Sequence, residues 1–343
     1  MKERRRRTTG KSTLADVARR VGVSSMTASR ALRMPDKVSP ALREKIDAAI
    51  AELGYVPNLA ASGLASASSR LIVMLVSSLS APGCASVFEA LQRVLTAKGY
   101  LTMLVEADIG GHDDPTLPEK LLAYNPAAIV LYGYACGEQG RRLLVNAGLP
   151  VVDVGCVNDE SVGISIGVDF SAATRELVAA LTARGWRHLA LLCTQNHPVQ
   201  FRQIMAGWHS GMLAKNHAPH RVVTSAEPPT IATGYRLLHD IRLTWPEVDA
   251  LICTSDEVAC GALMACHAEG IAIPSQLALA SLGGGHLTAV CSPPLTTVAL
   301  PWQEMGQLAG EQLLALLQDG EGVARAWPLA TRLVLRASSG KSE

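Results

Sequence analysis

The sequence of 343 residues has few charged and few aromatic side chains, which make up 18% and 4% of the chain. It contains no apolar run of about 18 residues, the length that a membrane-spanning helix requires, so we expect no membrane span. Residues 1–7 end in four arginines and are not followed by the apolar segment of a secretory signal. We therefore expect a cytoplasmic protein.

Cysteine and histidine occur without the spacings of metal sites. The eight cysteines include no C-x-x-C pair and mostly interrupt apolar runs, as Cys193 does after Leu192. The nine histidines include no H-E-x-x-H motif. We expect buried free thiols, no metal and no cofactor.

The formal net charge of +1 hides two segments of opposite sign. Residues 1–70 contain 14 Lys and Arg against 6 Asp and Glu, a net charge of +8. Residues 71–343 contain 17 against 24, a net charge of −7. This asymmetry predicts a nucleic acid or another acidic surface as the partner of the basic segment.

Three short helices are predicted in the basic segment. Each follows a side chain that caps helices well, and the first and third end at a glycine. Apolar residues recur at helical spacing within each of them. The pattern places the helices at 14–21 after Thr13, at about 25–33 after Ser24 with Ala28, Ala31 and Leu32 facing inward, and at 40–53 after Ser39.

The second predicted helix presents a polar outward face of Ser25, Met26, Ser29 and Arg30. Arg30 can bond guanine or a phosphate, the serines can reach base edges or phosphates, and Met26 can contact thymine methyl groups. Two short helices joined by a glycine turn in a basic segment predict a helix-turn-helix DNA-binding domain. The alternative is a small helical cap on an enzyme, with its charges simply solvated.

Three stretches of this segment resemble a known family: residues 13–32, with the sequence TLADVARRVGVSSMTASRAL, residues 43–46 and residues 53–58. Their spacing resembles the headpiece of the LacI/GalR family of bacterial transcription factors, and Met26-Thr27 resembles its gluconate-responsive branch. The resemblance implies that the second helix enters the major groove of operator DNA. The DNA-binding residues that it implies are Thr13, Ser24, Ser25, Met26, Thr27, Ser29, Arg30, Asn58 and Leu64.

The segment 58–70 is poor in charge and rich in small residues, which is typical of a linker that is marginally helical. The resemblance assigns it to a hinge helix and places Leu64 where the family inserts a leucine into the minor groove. An ordinary docking residue is the alternative for Leu64. We expect a headpiece at 1–57 with a disordered basic tail at 1–11, a hinge at 58–70 and a core at 71–343.

Short apolar strands alternate with helix-like segments from Leu71 onward. This rhythm predicts an α/β core of two lobes, each a doubly wound parallel sheet, with a ligand cleft at the carboxyl ends of the strands. Gly167-Val-Asp169 and Pro294-Leu-Thr-Thr-Val extend the family resemblance, which implies a periplasmic-binding-protein-like core whose chain crosses between the lobes three times. We expect lobe one at about 71–161 and 293–325, and lobe two at about 162–292 and 326–343.

The small-molecule effector is predicted from the residues of this cleft. Where many family members carry a basic residue and a pair of aspartates, this chain has Ile204 and Gly283-Gly284, so carboxylates that would repel an anion are absent there. Arg202 is the candidate for binding a ligand carboxylate. We expect a sugar acid such as gluconate or a keto-gluconate, with a neutral sugar or nucleoside as the alternative. The candidate effector-binding residues are Ser77, Ser78, Arg202, Ser255, Asp256, Gly284 and His286, with strand-end capping as the alternative role of the serines and Asp256.

These expectations combine in a homodimeric, nucleoid-associated repressor of a carbohydrate-utilisation operon, which its effector releases from a palindromic operator. A dimer is expected because helix-turn-helix dimers read palindromes, and residues 337–343 contain no leucine heptad. The rival classes are an exported solute-binding protein and a sugar-binding enzyme with a basic tail. Gly163–Gly167 spells the nucleophile motif G-x-S-x-G, but Ser165 lies within a predicted strand and not at a turn, so no enzymatic activity is expected.

Overall fold

The computed structural model describes residues 12–56, 69–107, 116–194, 198–319 and 324–340. The chain divides into two compact units, one up to Ser69 and one from Arg70 onward. They are the headpiece unit and the core unit. Among the described residues, no helix combines the length and the apolar character needed to cross a membrane.

The headpiece unit contains the three predicted helices, and their positions are confirmed: α1 spans Leu14–Val21, α2 Ser25–Arg33 and α3 Pro40–Leu53. Their small core consists of Val17, Ala31, Ile46 and Ala49, with partly buried apolar residues packed around it. The prediction that Leu32 faces inward is wrong, because 36% of its surface is exposed.

The first sheet of the core unit has the strand order β11-β5-β4-β3-β1-β2, and all of its pairings are parallel. Its strands are β1 Leu71–Val76, β2 Leu101–Glu106, β3 Ala128–Tyr132, β4 Val151–Cys156, β5 Ile164–Val168 and β11 Ala326–Pro328. The helices between its first four strands are α4 Cys84–Thr96, α5 Leu117–Leu122 and α6 Glu138–Ala147.

The second sheet has the order β12-β10-β9-β8-β6-β7 and is parallel except for β12, which pairs antiparallel with β10. Its strands are β6 Leu189–Cys193, β7 Val222–Thr224, β8 Ala250–Cys253, β9 Ala278–Gly283, β10 Thr296–Ala299 and β12 Arg332–Val334. The helices of this lobe are α7 Phe170–Ala183, α8 Pro198–Leu213, α9 Ile231–Thr244, α10 Asp256–Ala268 and α11 His286–Val290. Two doubly wound lobes are thus confirmed.

The chain passes between the two sheets three times, but the predicted lobe boundaries are wrong at each crossing. Residues 162–168 were expected in lobe two, yet β5 pairs with β4 of the first sheet. Residues 293–299 were expected in lobe one, yet β10 pairs with β9 of the second sheet. The strand β11 returns to the first sheet beside β5. Strand pairing decides these assignments, and an apolar run in the sequence does not reveal its partner.

The last long helix, α12, spans Trp302–Asp319 and packs against α4 of the first lobe. At this crossing a Cβ atom on Gly306 would lie 2.2 Å from the carbonyl oxygen of Val87, so only glycine permits the approach. The largest buried cluster contains residues of both sheets and of α4, α7, α8 and α12. Two further clusters lie on the opposite faces of the sheets.

Candidate functional sites: the outer face of α2 and the interlobe cleft

The first turn of α1 is fixed by a complete capping box. The Thr13 hydroxyl accepts from the backbone N–H of Asp16, and the Asp16 carboxylate accepts from the backbone N–H of Thr13 at 3.0 Å. The hydroxyl of Thr13 also donates to this carboxylate at 2.6 Å. These hydrogen bonds from Thr13 lower the pKa of Asp16 below its ordinary value. Gly22 ends α1 with a φ of 79°, a conformation that favours glycine, and the chain turns into α2.

The outer face of α2 matches the sequence prediction in its exposure. Ser25, Met26 and Arg30 are exposed, and 72% of the Met26 surface is accessible, which is unusual for a large apolar side chain. Ser29 is half-buried on the same helix. Ala28 and Ala31 are buried on the opposite face. The helix therefore presents one apolar and three polar side chains together, which can contact base edges and phosphates.

Arg30 differs in its ion pairing from other arginines of the headpiece. Arg19 pairs with Asp16, Arg20 with Glu52 and Arg43 with Asp47, all on the surface. Arg30 has no ion pair within the part of the chain that the structure describes. Its guanidinium is therefore available to a phosphate or a guanine without loss of an internal partner.

Two other predicted DNA contacts are already engaged in capping. The hydroxyl of Ser24 accepts from the backbone N–H of Thr27 at 3.1 Å, and the two hydroxyl groups lie 2.9 Å apart. Ser24 is exposed and Thr27 is half-buried. Besides the contacts with DNA that are predicted for them, these two residues therefore hold the first turn of α2. The predicted contacts Asn58 and Leu64 lie outside the described residues.

In the core unit, the carboxyl ends of the strands of both lobes carry the predicted effector residues. Ser77 and Ser78 directly follow β1, and both are half-buried. Ser78 accepts a hydrogen bond from the backbone N–H of Ser80, so it stabilises its own turn. Ser255 is buried and caps α10 by accepting from the backbone N–H of Val258. For Ser78 and Ser255, the structure thus shows the capping role that the sequence left open.

Asp256 joins two elements of the second lobe. One carboxylate oxygen accepts from the Ser281 hydroxyl of β9 at 2.5 Å, and the other accepts from the backbone N–H of Gly285 at 2.6 Å. Its side chain is buried, with 7% of the residue surface exposed. Asp256 therefore fixes the turn between β9 and α11.

The predicted residues Gly284 and His286 lie in this turn. Gly284 has a φ of 77°, and a Cβ atom there would lie 2.4 Å from the Cα of Ala299, so a larger residue does not fit. His286 is the first residue of α11 and is exposed. The structure thus brings Asp256 and this turn together, whereas Arg202 lies on a different helix.

Arg202 of α8 forms an ion pair across the cleft with Glu160, which lies in the connection between β4 and β5 of the first lobe. Its guanidinium contacts the two carboxylate oxygens at 2.8 and 2.9 Å. The side chains are 55% and 68% exposed, so the pair contributes little net stability. The adjacent Gln203 makes a second contact between the lobes, since its amide donates to the carbonyl of Val157 at 2.7 Å.

Several cleft residues were missed by the sequence reasoning. Tyr132 ends β3, is buried, and donates its hydroxyl hydrogen to the carbonyl of Pro82. The ring of Trp302 packs edge-on against it, with centroids 6.4 Å apart. Glu257 follows Asp256 in α10, and burial, helped by the charge of Asp256, raises its pKa. Tyr132 could have been predicted from its position at the carboxyl end of an apolar strand, but nothing in the sequence places Trp302 beside it.

Comparison with known proteins indicates the family of this chain. The model of "Bacterial regulatory proteins, lacI family" matches residues 13–58, and that of a "Periplasmic binding protein-like domain" matches residues 178–339. The chain is 35% identical to the HTH-type transcriptional regulator GntR of Escherichia coli over 312 residues, which are 90% of this chain and 93% of that protein. The chain belongs to the LacI family.

Other LacI-family proteins agree over the same length. The HTH-type transcriptional regulator GntR of Pseudomonas aeruginosa is 32% identical over 97% of each chain. The crystal structure of the lac repressor dimer bound to operator and the anti-inducer ONPF matches with a TM-score of 0.83 at 26% identity, covering 96% of this chain and 100% of that chain. Because these relatives are transcriptional regulators, this LacI-family chain is a DNA-binding transcription regulator and not an enzyme.

Proposed function

We propose that this LacI-family regulator is a homodimeric repressor of a carbohydrate-utilisation operon in the cytoplasm, and that a sugar acid such as gluconate or a keto-gluconate releases it from a palindromic operator. The observation that carries this proposal is the similarity to GntR regulators over 90% of the chain or more. The exposed face of α2 and the cleft between two parallel sheets are compatible with it.

The DNA-binding half of the proposal assigns roles on α2. Arg30 binds guanine or a phosphate, Met26 contacts thymine methyl groups, and Ser25 and Ser29 bond base edges or phosphates. Thr13 and Ser24 cap helices, Thr27 lies in the first turn of α2, and their position at helix starts lets all three contact the phosphate backbone as well. Asn58 and Leu64 act from the hinge, where Leu64 enters the minor groove.

The effector half rests on the charge of the cleft. Arg202 is held by an exposed ion pair of small net energy, so a ligand carboxylate can replace Glu160 as its partner at little cost. The turn at Gly284 presents no carboxylate of its own to an anion. Ser77 and His286 are further hydrogen-bonding groups at the strand ends. The buried carboxyl groups on α10 favour a ligand rich in hydroxyl groups, which keeps a neutral sugar or nucleoside as the second candidate.

The dimer is proposed because a single headpiece buries too little DNA surface for high specificity, whereas two headpieces match a palindrome. The lac repressor similar to this chain is a dimer on its operator.

The proposed effector class is tested by a thermal-shift screen of the purified full-length protein with sugar acids, neutral sugars and nucleosides. A ligand that binds only the folded state raises the apparent melting temperature. We expect D-gluconate or a keto-gluconate to raise it and D-glucose not to. A response to nucleosides alone would contradict the proposed effector.

A further inference from the structure

The first turn of α10 carries two adjacent carboxyl groups whose surroundings differ. Asp256 has protein donors on both oxygens, namely the Ser281 hydroxyl and the Gly285 backbone N–H. It holds the turn after β9, and no oxygen remains without a donor. Each oxygen of Asp256 is therefore already engaged by one protein donor.

Glu257 has such an acceptor. Its Oε2 atom is buried and has no hydrogen-bond partner among the described residues. Native proteins rarely retain a buried carboxylate oxygen without a donor, because nothing replaces the hydrogen bonds that it made with water. Burial raises the pKa of this carboxyl group and the charge of Asp256 raises it further, whereas hydrogen bonds with its own backbone and with the Ser255 side chain oppose the shift.

The charge of Glu257 also affects a residue of the opposite lobe. Its charge raises the pKa of Tyr132, the last residue of β3 in the opposite lobe, after the larger effects of burial and of Cys84. The Tyr132 hydroxyl does not serve as the missing donor, because its hydrogen is given to the Pro82 carbonyl. Glu257 is the second residue of α10, which begins directly after the carboxyl end of β8, the edge of a parallel sheet where ligands bind.

We propose that Glu257 is the specificity-determining residue of the effector site, and that its buried Oε2 accepts a hydrogen bond from a hydroxyl group of a polyhydroxylated ligand. This inference rests on the proposed effector function and deepens it. A hydrogen bond to a carboxylate contributes roughly 10-fold or more in affinity.

The two carboxyl groups also predict the orientation of the ligand. Two carboxyl groups in the first turn of α10 repel a third, so the carboxylate of a sugar acid points away from this helix and its hydroxyl-bearing carbons face it. Glu257 then selects for the polyol part of the ligand, whereas the ligand carboxylate is bound elsewhere in the cleft.

The test uses full-length protein and isothermal titration with D-gluconate, D-glycerate and D-glucose. D-glycerate keeps the carboxylate but has fewer hydroxyl groups. The variants are E257Q and, as a matched control, E304Q, which makes the same change at an exposed glutamate in the first turn of α12. We expect E257Q to weaken D-gluconate binding about 10-fold and to shrink its preference over D-glycerate, while E304Q stays within twofold of wild type.

The outcomes separate the two claims. If wild type binds D-gluconate and E257Q binds it equally well, Glu257 is not the specificity residue and the proposed function stands. If wild type binds D-glucose only, the sugar-acid assignment is wrong, and a 10-fold loss of D-glucose affinity in E257Q still supports Glu257. If wild type binds none of the three, both claims are wrong. A loss of affinity that is equal for D-gluconate and D-glycerate would show a merely structural role.

Discussion

At the residue scale, we propose that base discrimination depends on Arg30. The other arginines that the structure describes in α1 and α3 have carboxylate partners within the headpiece, whereas Arg30 has none among the described residues and is exposed on the outer face of α2. A guanidinium without an internal partner can make the paired hydrogen bonds that guanine offers in the major groove.

We predict that Arg30→Ala reduces affinity for the preferred operator by roughly 10-fold or more, because a good bidentate base contact contributes about 1–3 kcal/mol. Affinity for a scrambled duplex falls less. Fluorescence anisotropy with both duplexes at one salt concentration measures the ratio. Arg142→Ala, which removes an exposed arginine of the core unit, is the control and leaves the ratio unchanged. Equal losses of affinity for both duplexes would show that Arg30 contacts a phosphate and not a base.

Asp153 of β4 shows how one half-buried carboxyl group links stability to pH. Burial raises its pKa to about 7, although Asn158 donates to it at 3.2 Å and thereby opposes the shift. The unfolded chain has an aspartate pKa near 3.9. The folded state therefore holds this proton more tightly, and the resulting stabilisation is complete below pH of about 4, declines as the pH rises and is lost above pH of about 7.

We predict that wild type loses more unfolding free energy between pH 5 and pH 8 than Asp153→Asn does, by on the order of 1–2 kcal/mol. Urea unfolding of both proteins at the two pH values measures this difference. The residue is partly exposed, so the effect falls below the full value for a sealed site. Parallel pH profiles for the two proteins would contradict the assignment.

At the element scale, the helix starts of the headpiece differ in how they are capped. The Thr13 hydroxyl and the Asp16 carboxylate form a capping box at α1, whereas Ser39 makes no side-chain cap hydrogen bond at α3, which instead begins with Pro40. The two positions look equally good in the sequence, since both residues are favoured N-caps. Only the geometry separates them.

We predict that Thr13→Ala destabilises α1 by about 1 kcal/mol, whereas Ser39→Ala changes the stability of α3 by a few tenths of that. Hydrogen exchange measured by mass spectrometry on the full-length protein reports both. Amides of α1 should exchange about fivefold faster in the first variant, and those of α3 nearly as in wild type in the second. Comparable effects at the two helices would show that capping does not set their stability.

The sequence was most informative for elements whose signals are local. Periodicity, caps and glycine ends located α1, α2 and α3 to within a residue. The lobe membership of β5, β10 and β11 was assigned wrongly because it depends on pairing with strands distant in sequence. The same holds at the site: Asp256 was found, but its engagement with Gly285 and the unsatisfied oxygen of Glu257 are properties of the packed structure.

At the scale of the whole molecule, the chain crosses between the two sheets three times, and we propose that regulation works through the relative arrangement of the two lobes. The Arg202–Glu160 pair and the Gln203–Val157 hydrogen bond join the lobes directly. A ligand that contacts both lobes changes the relative free energy of their arrangements, and binding of operator and effector must then influence each other by the same factor. This reciprocity is the central claim of the proposed function.

The most direct measurement is the affinity of the full-length protein for a palindromic duplex, selected by the protein from random sequence, with and without saturating D-gluconate. We predict that D-gluconate weakens duplex binding, in the range of about 5- to 150-fold, and that the duplex weakens D-gluconate binding by the same factor. Fluorescence anisotropy gives the first quantity and isothermal titration the second. An unchanged duplex affinity in the presence of bound D-gluconate would contradict the proposed coupling of the two binding sites.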